Sequence, residues 1–122
     1  MNEKIDKLLT DLQHEMDEGI PVIVEGRKDL KALHAAGLDG KIFKLSSTPM
    51  HEIAEKIARE NSEVIILTDF DDFGQKAADK LRDFFLNEAV KPNMAYRKRF
   101  KRLLGIVYFE DLHTLLEQEK NQ

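Results

Sequence analysis

Three carboxylates crowd together at Asp69, Asp71 and Asp72, directly after the apolar run Val64-Ile65-Ile66-Leu67. Consecutive apolar, mostly β-branched residues predict a strand buried on both faces, here 64–68. Acids gathered at the end of such a strand repel one another, which raises the free energy of the fold. A hard divalent cation relieves that repulsion, because hard ions take oxygen ligands. Alternate side chains of extended backbone point the same way, so Asp69 and Asp71 can reach one ion while Phe70 turns towards the body. Asp72 is expected to cap the helix that begins near Gly74 and to sit against its dipole. A bare D-x-D is ordinary turn and capping chemistry, so the metal reading needs a further partner.

Glu25 is that partner. It follows a second short apolar run, Ile20-Pro21-Val22-Ile23-Val24, and precedes Gly26. A glutamate entering a helix also suits the helix dipole. At the end of a buried strand it can instead serve as general base or acid for phosphoryl transfer while Asp69 and Asp71 hold Mg²⁺. Arg27, Lys28 and Lys31 follow closely and can contact a phosphate. A second cationic group lies at Tyr96-Arg97-Lys98-Arg99-Phe100-Lys101-Arg102. Wound at ~100° per residue, Tyr96, Phe100, Leu103 and Leu104 share one arc. Arg97, Lys98, Arg99, Lys101 and Arg102 fill the opposite arc. Such a run is commonly a plain solvated face; beside an acidic metal site it reads as a grip on a nucleic-acid backbone. His14, His34, His51 and His113 have no ligand spacing among themselves.

The elements that must position these groups follow from periodicity. Ile5, Leu8, Leu9, Leu12 and Met16 make one stripe of a helix over 2–18, ended by Gly19. A strand over 20–24 leads into a helix over 27–36, which stops at Gly37. A second strand, 41–45, runs into Ser46-Ser47-Thr48-Pro49, with Thr48 expected as N-cap and Pro49 as the first helical residue of 49–60. The strand 64–68 and a helix over 74–87 come next. Residues 88–95 read as an extended connection or short edge strand, and 96–104 as the basic helix. Residues 106–109 fit a strand or a turn equally, and 110–119 close the chain as a helix. This alternation predicts an α/β three-layer sandwich around a small, mostly parallel sheet of about four strands. Ligands of such sheets bind outside the carboxyl ends of the strands, where Glu25, Ser46 and Asp69 would share one rim.

Composition narrows the classes. With 122 residues the chain suits one domain over 1–122. The absence of cysteine removes disulfides, thiolate zinc sites and a cysteine nucleophile, and fits a cytoplasmic protein. No run approaches the ~20 apolar residues of a membrane helix, and Met1–Asp6 lack the apolar centre of a signal peptide. A net charge of −4 argues against a generally basic coat and leaves the local patches as the anionic-ligand sites.

The pair Val22-Ile23-Val24-Glu25-Gly26 and Ile66-Leu67-Thr68-Asp69-Phe70-Asp71-Asp72-Phe73-Gly74-Gln75-Lys76-Ala77-Ala78 resembles the Toprim domain over roughly residues 20–90. That domain is shared by type IA and type II topoisomerases, bacterial primases and several nucleases, including the ribosomal-RNA maturases. The whole chain is similar to stand-alone, primase-like small Toprim proteins, with the N-terminal helix at 2–18 and the basic and C-terminal helices at 94–120. The resemblance implies Glu25 as the acid/base, Asp69 and Asp71 as Mg²⁺ ligands (Mn²⁺ as a substitute), and Glu25 as a further member of the metal shell. It implies RNA or DNA as the partner, phosphodiester cleavage as the leading activity, and a non-catalytic binding module or one part of a larger complex as the rival. The chain lacks the cysteines of a primase zinc module. A receiver-like phosphoacceptor and a haloacid-dehalogenase-type phosphatase fit less well, since the first strand ends in Glu-Gly and the D-x-D follows a later strand.

Overall fold

The computed structural model describes residues 2–121. Helix α1 (Glu3–Asp17) leads into strand β1 (Val22–Val24), helix α2 (Arg27–Ala35), strand β2 (Ile42–Lys44) and helix α3 (Met50–Glu60). Strand β3 (Glu63–Ile66), helix α4 (Asp72–Asn87), strand β4 (Lys91–Asn93), helix α5 (Ala95–Leu104), a 3-10 turn (Phe109–Asp111) and helix α6 (Leu112–Lys120) complete it. The four strands form one parallel sheet in the order β2-β1-β3-β4, with Ile23 level with both Phe43 and Ile66.

The sheet is covered on both faces, and its period-two side-chain alternation sorts the core. Val22, Val24, Ile65 and Leu67 face α1, α2, α5 and α6, where Leu8, Leu12, Leu33, Phe100 and Leu116 pack. Ile23, Val64 and Ile66 face α3 and α4, where Ile53, Ile57, Leu81 and Phe85 pack. This is the three-layer α/β arrangement expected from the alternation of elements. The helices fall on the faces that right-handed crossovers dictate: β1 to β2 runs one way along the sheet, whereas β2 to β3 and β3 to β4 run the other.

Local differences from the sequence reading have identifiable causes. Pro49 stands at the N-cap of α3 and Thr48 lies before it, so the expected Thr48 cap is displaced by one residue. Residues 91–93 are a true edge strand that tolerates Pro92, as edge strands do. Residues 106–108 form no strand; Gly105, at φ 62°, turns the chain out of α5 in the left-handed region. The final helix begins at Leu112, after the 3-10 turn has taken 109–111.

The tightest approach in the fold is at Gly74. A Cβ there would lie 2.1 Å from the Asp69 carbonyl oxygen, which is backbone and cannot swing aside. The Thr68 hydroxyl donates to the Gly74 carbonyl at 2.7 Å and closes the loop from β3 to α4. Gly26 has room, with Ser46 Oγ at 3.8 Å from its hypothetical Cβ. Chemical denaturation should therefore show Gly74→Ala losing about 3 kcal/mol or more, while Gly26→Ala stays within about 1 kcal/mol of the parent. Equal effects at the two glycines would contradict this packing.

Candidate active site

Strands β1 and β3 are parallel neighbours, so their carboxyl ends open on one edge of the sheet. Glu25 leaves β1 there, and Asp69 follows β3 after Leu67 and Thr68. The two meet directly: Glu25 Oε2 accepts the Asp69 N–H at 2.5 Å across 44 residues of sequence. Both line a cavity of about 350 Å³ with Arg27, Lys28 and Ser46. Ser46 is tied to the same rim by its N–H, which donates to the Glu25 carbonyl at 2.9 Å.

Each acid is anchored by one backbone N–H, and the Glu25 and Asp69 carboxyls also hydrogen-bond each other. Asp69 Oδ1 accepts the Phe109 N–H at 2.8 Å. Asp71 Oδ1 accepts the Gly74 N–H at 2.8 Å and is the N-cap of α4. Asp72 is the first helical residue and is exposed. The expected division is thus reversed: Asp71 caps, Asp72 does not, because α4 starts two residues earlier than the glycine suggested. Among the described residues no group of three or more histidines, cysteines, aspartates and glutamates is arranged to hold a metal ion. Glu25 and Asp69 are brought together; Asp71 is turned partly to its helix.

The basic helix does not present its cations as one face. Arg97 is buried, with 4% of its surface exposed. Its Nε donates to the Thr68 carbonyl at 2.8 Å, its Nη2 to the Asp69 carbonyl at 2.6 Å, and its Nη1 to Gln75 Oε1 at 3.1 Å. The guanidinium also lies 4.3 Å from the centre of the Phe70 ring. The assignment of Arg97 to the nucleic-acid face is therefore corrected. β3 ends at Ile66, so carbonyls beyond it have no ladder partner, and the planar fork of an arginine takes two of them. Arg99 turns to α1, pairing with Asp11 Oδ2 at 3.1 Å, a surface pair of little energetic weight. Lys98, Lys101 and Arg102 remain exposed, as do Arg27, Lys28 and Lys31.

Three residues at the rim escaped the sequence reading. Asp29 is buried and accepts the Gly26 N–H at 2.9 Å. Its place three residues after Gly26 is capping-box spacing, a signal that was available. Tyr108 and Glu110 line the cavity from the loop and turn after α5. No local pattern places them there, since residues 106–109 fit a strand or a turn equally.

Burial dominates the electrostatics. It pushes Glu25 up to about 7, and the Asp69 and Asp71 charges push the same way against the Asp69 N–H. Burial, then the Asp69 charge, raises Asp29 to about 6. Asp69 is also raised, by burial first, with the Phe109 N–H opposing. All three acids bind protons more tightly folded than unfolded. Their contribution to stability is therefore complete below their ordinary values near 4 and is lost as pH climbs through about 6 to 7. In chelator, thermal unfolding followed by circular dichroism should show stability falling between pH 4.5 and 7.5, by about 1–3 kcal/mol once solvent screening of these half-buried carboxyls is discounted. Glu25→Gln should flatten that slope. A slope that is unchanged in Glu25→Gln would contradict the assignment.

A sequence model of the Toprim domain matches residues 21–103. A UPF0292 protein of Methanosarcina acetivorans is 34% identical over 113 residues, covering 93% of this chain and 78% of the relative. Among solved structures, a protein from Aquifex aeolicus superposes with a TM-score of 0.79 at 20% identity, covering 90% of this chain and 99% of the other. The Aquifex aeolicus primase, in a structure of its zinc-binding and RNA polymerase domains, superposes with a TM-score of 0.52 at 23% identity, over 86% of this chain and 27% of that one. The matched span runs from β1 into α5 and includes both the Glu25 strand and the Asp69 loop, so the chain belongs to the Toprim family, alongside the small UPF0292 proteins.

Proposed function

We propose that this chain is a Mg²⁺-dependent nucleic-acid-processing domain that hydrolyses phosphodiesters. The observation that carries the reading is the contact of Glu25 with Asp69 at the ends of two adjacent parallel strands, beside Arg27 and Lys28. The donor chemistry suits a hard cation: oxygen ligands only, from crowded acids that backbone hydrogen bonds already orient. Mg²⁺ is commonly held by one or two carboxylates, with water and substrate phosphate completing its shell. Asp69 and Asp71 would hold it, with Glu25 at the edge of the shell. When bound, the ion supplies charge neutralisation on the phosphate.

The protein's own residues do the rest. Glu25 Oε1 takes the proton of the attacking water, whose oxygen adds to phosphorus as the bond to a sugar oxygen breaks. The same carboxyl returns a proton to that leaving oxygen. Arg27 and Lys28 hold the phosphate next to the acids, and Lys98, Lys101 and Arg102 hold the backbone further along, with Arg99 at the border of α1. Such contacts give binding that weakens with salt and reads little sequence. The family supports this class of substrate, and the primase neighbour supports the fold that carries it.

One observation favours a second reading, a binding module without catalysis: Asp71 already spends an oxygen on its helix. The two readings part in one assay. Labelled structured RNA and single-stranded DNA are incubated with Mg²⁺, with chelator, and with Glu25→Gln and Asp69→Asn. The hydrolase reading predicts cleavage that chelator abolishes and each substitution lowers about 100-fold or more. Salt-sensitive binding with no cleavage by the parent supports the second reading. Equal cleavage by parent and Glu25→Gln refutes the first.

A further inference from the structure

Among the described residues, the large apolar side chains left exposed are Phe73, Leu86, Val107 and Tyr108. Tyr108 lines the acidic cavity, Val107 precedes it in the chain, and Phe73 follows Asp71 by two residues. Phe73 stands in the first turn of α4, two residues after Asp71, with 66% of its surface exposed. Tyr108, 42% exposed, lines the same cavity as Glu25 and Asp69. The loop that carries Val107 and Tyr108 is fixed to the acid loop at two points. Phe70 N–H donates to the Val107 carbonyl, and Phe109 N–H to Asp69 Oδ1, each at 2.8 Å. Tyr108 lies between those two anchors. It is therefore held at the mouth of the site by backbone bonds while its ring stays open to water.

A fold that buries Phe85, Phe100 and Phe109 completely has the means to bury apolar rings, and these are left out. Clustered exposure of this kind marks a contact surface. The surrounding charge says what kind. Arg27 and Lys28 line the Tyr108 cavity, and Lys98 and Lys101, with Phe70, line the groove between α4 and α5. Cations at both places suit phosphates, and the exposed flat rings suit the π-faces of bases. In a duplex those faces are already stacked on one another. Only unpaired bases can take up Tyr108 and Phe73.

We propose that Tyr108 and Phe73 are stacking platforms for unpaired bases, so that the site takes a single-stranded segment of RNA or DNA. This rests on the nucleic-acid reading above and names its substrate class. Tyr108 sets the base next to the phosphate at Glu25, and Phe73 supports a neighbouring base. The tyrosine hydroxyl has no part in the interaction.

Fluorescence anisotropy tests this with the full chain in Ca²⁺, which holds back cleavage. The probes are a short labelled single strand, as RNA and as DNA, the same strand annealed to its complement, and an abasic strand of equal length. Tyr108→Ala should bind the single strand about tenfold more weakly, and Tyr108→Phe like the parent. Both should bind duplex as the parent does. The abasic strand should bind the parent about as weakly as the normal strand binds Tyr108→Ala. Unequal losses on RNA and DNA would assign the sugar. Unchanged single-strand binding in Tyr108→Ala and Phe73→Ala, with binding lost in a Lys98→Ala, Lys101→Ala double variant, would overturn the stacking proposal and leave the nucleic-acid reading standing. Binding to none of the probes would remove both. Sedimentation showing that Tyr108→Ala turns a dimer into a monomer, with single-strand binding unchanged, would make the surface a contact between copies and overturn the proposal.

Discussion

The buried Arg97 guanidinium holds the site together. The chain leaves β3 at Ile66 and must cross the end of the sheet to reach α4. On that crossing the Thr68 and Asp69 carbonyls find no strand partner, and a buried carbonyl without a donor is costly. Arg97 reaches back from α5 and takes both, with Gln75 and the Phe70 ring filling the rest of its surface. The Asp69 N–H, on the other side of the same peptide segment, goes to Glu25. One cation on one side and one carboxylate on the other thus fix a loop that would otherwise be driven open by its own acids. Gly74 completes the arrangement by letting the first turn of α4 press against the Asp69 carbonyl.

The topology explains why this happens between β1 and β3. From β1 the chain passes to α2 on one face, and from β3 to α4 on the other. The two exits diverge and leave a crevice outside the strand ends, the place where open parallel sheets bind ligands. The loop and turn after α5 wall this crevice with Tyr108 and Glu110. The site is built from four separate stretches of chain, and only two of them carry a recognisable motif.

That division sets what could be read from sequence. Strand and helix periodicities report burial directly, so the parallel sheet, its two apolar faces and the meeting of Glu25 with the Asp69 loop were legible. Arg97 was not. On a helical wheel it belongs with Lys98 and Lys101, and nothing local distinguishes an arginine that reaches inward for orphan carbonyls from one that points to water. The cap was misread for a related reason: with Asp71 and Asp72 adjacent, which one caps depends on where α4 starts, a choice made by the Gly74 approach rather than by the residues themselves. Asp29 could have been found from its spacing after Gly26. Tyr108 could not, because its place comes from two backbone hydrogen bonds to residues about forty positions earlier.

On the reading proposed above, Glu25 and the Asp69 loop are held together to receive one divalent cation. Crystals grown in Mn²⁺ and measured at the manganese absorption edge test it most directly, since the anomalous signal locates the ion independently of any assumption about its ligands. The claim predicts a single strong peak at the β1–β3 crevice, roughly 2.0–2.2 Å from carboxylate oxygens of Asp69 and of Glu25 or Asp71. A fully loaded crystal with no peak there, or with its only peak away from these residues, would contradict it.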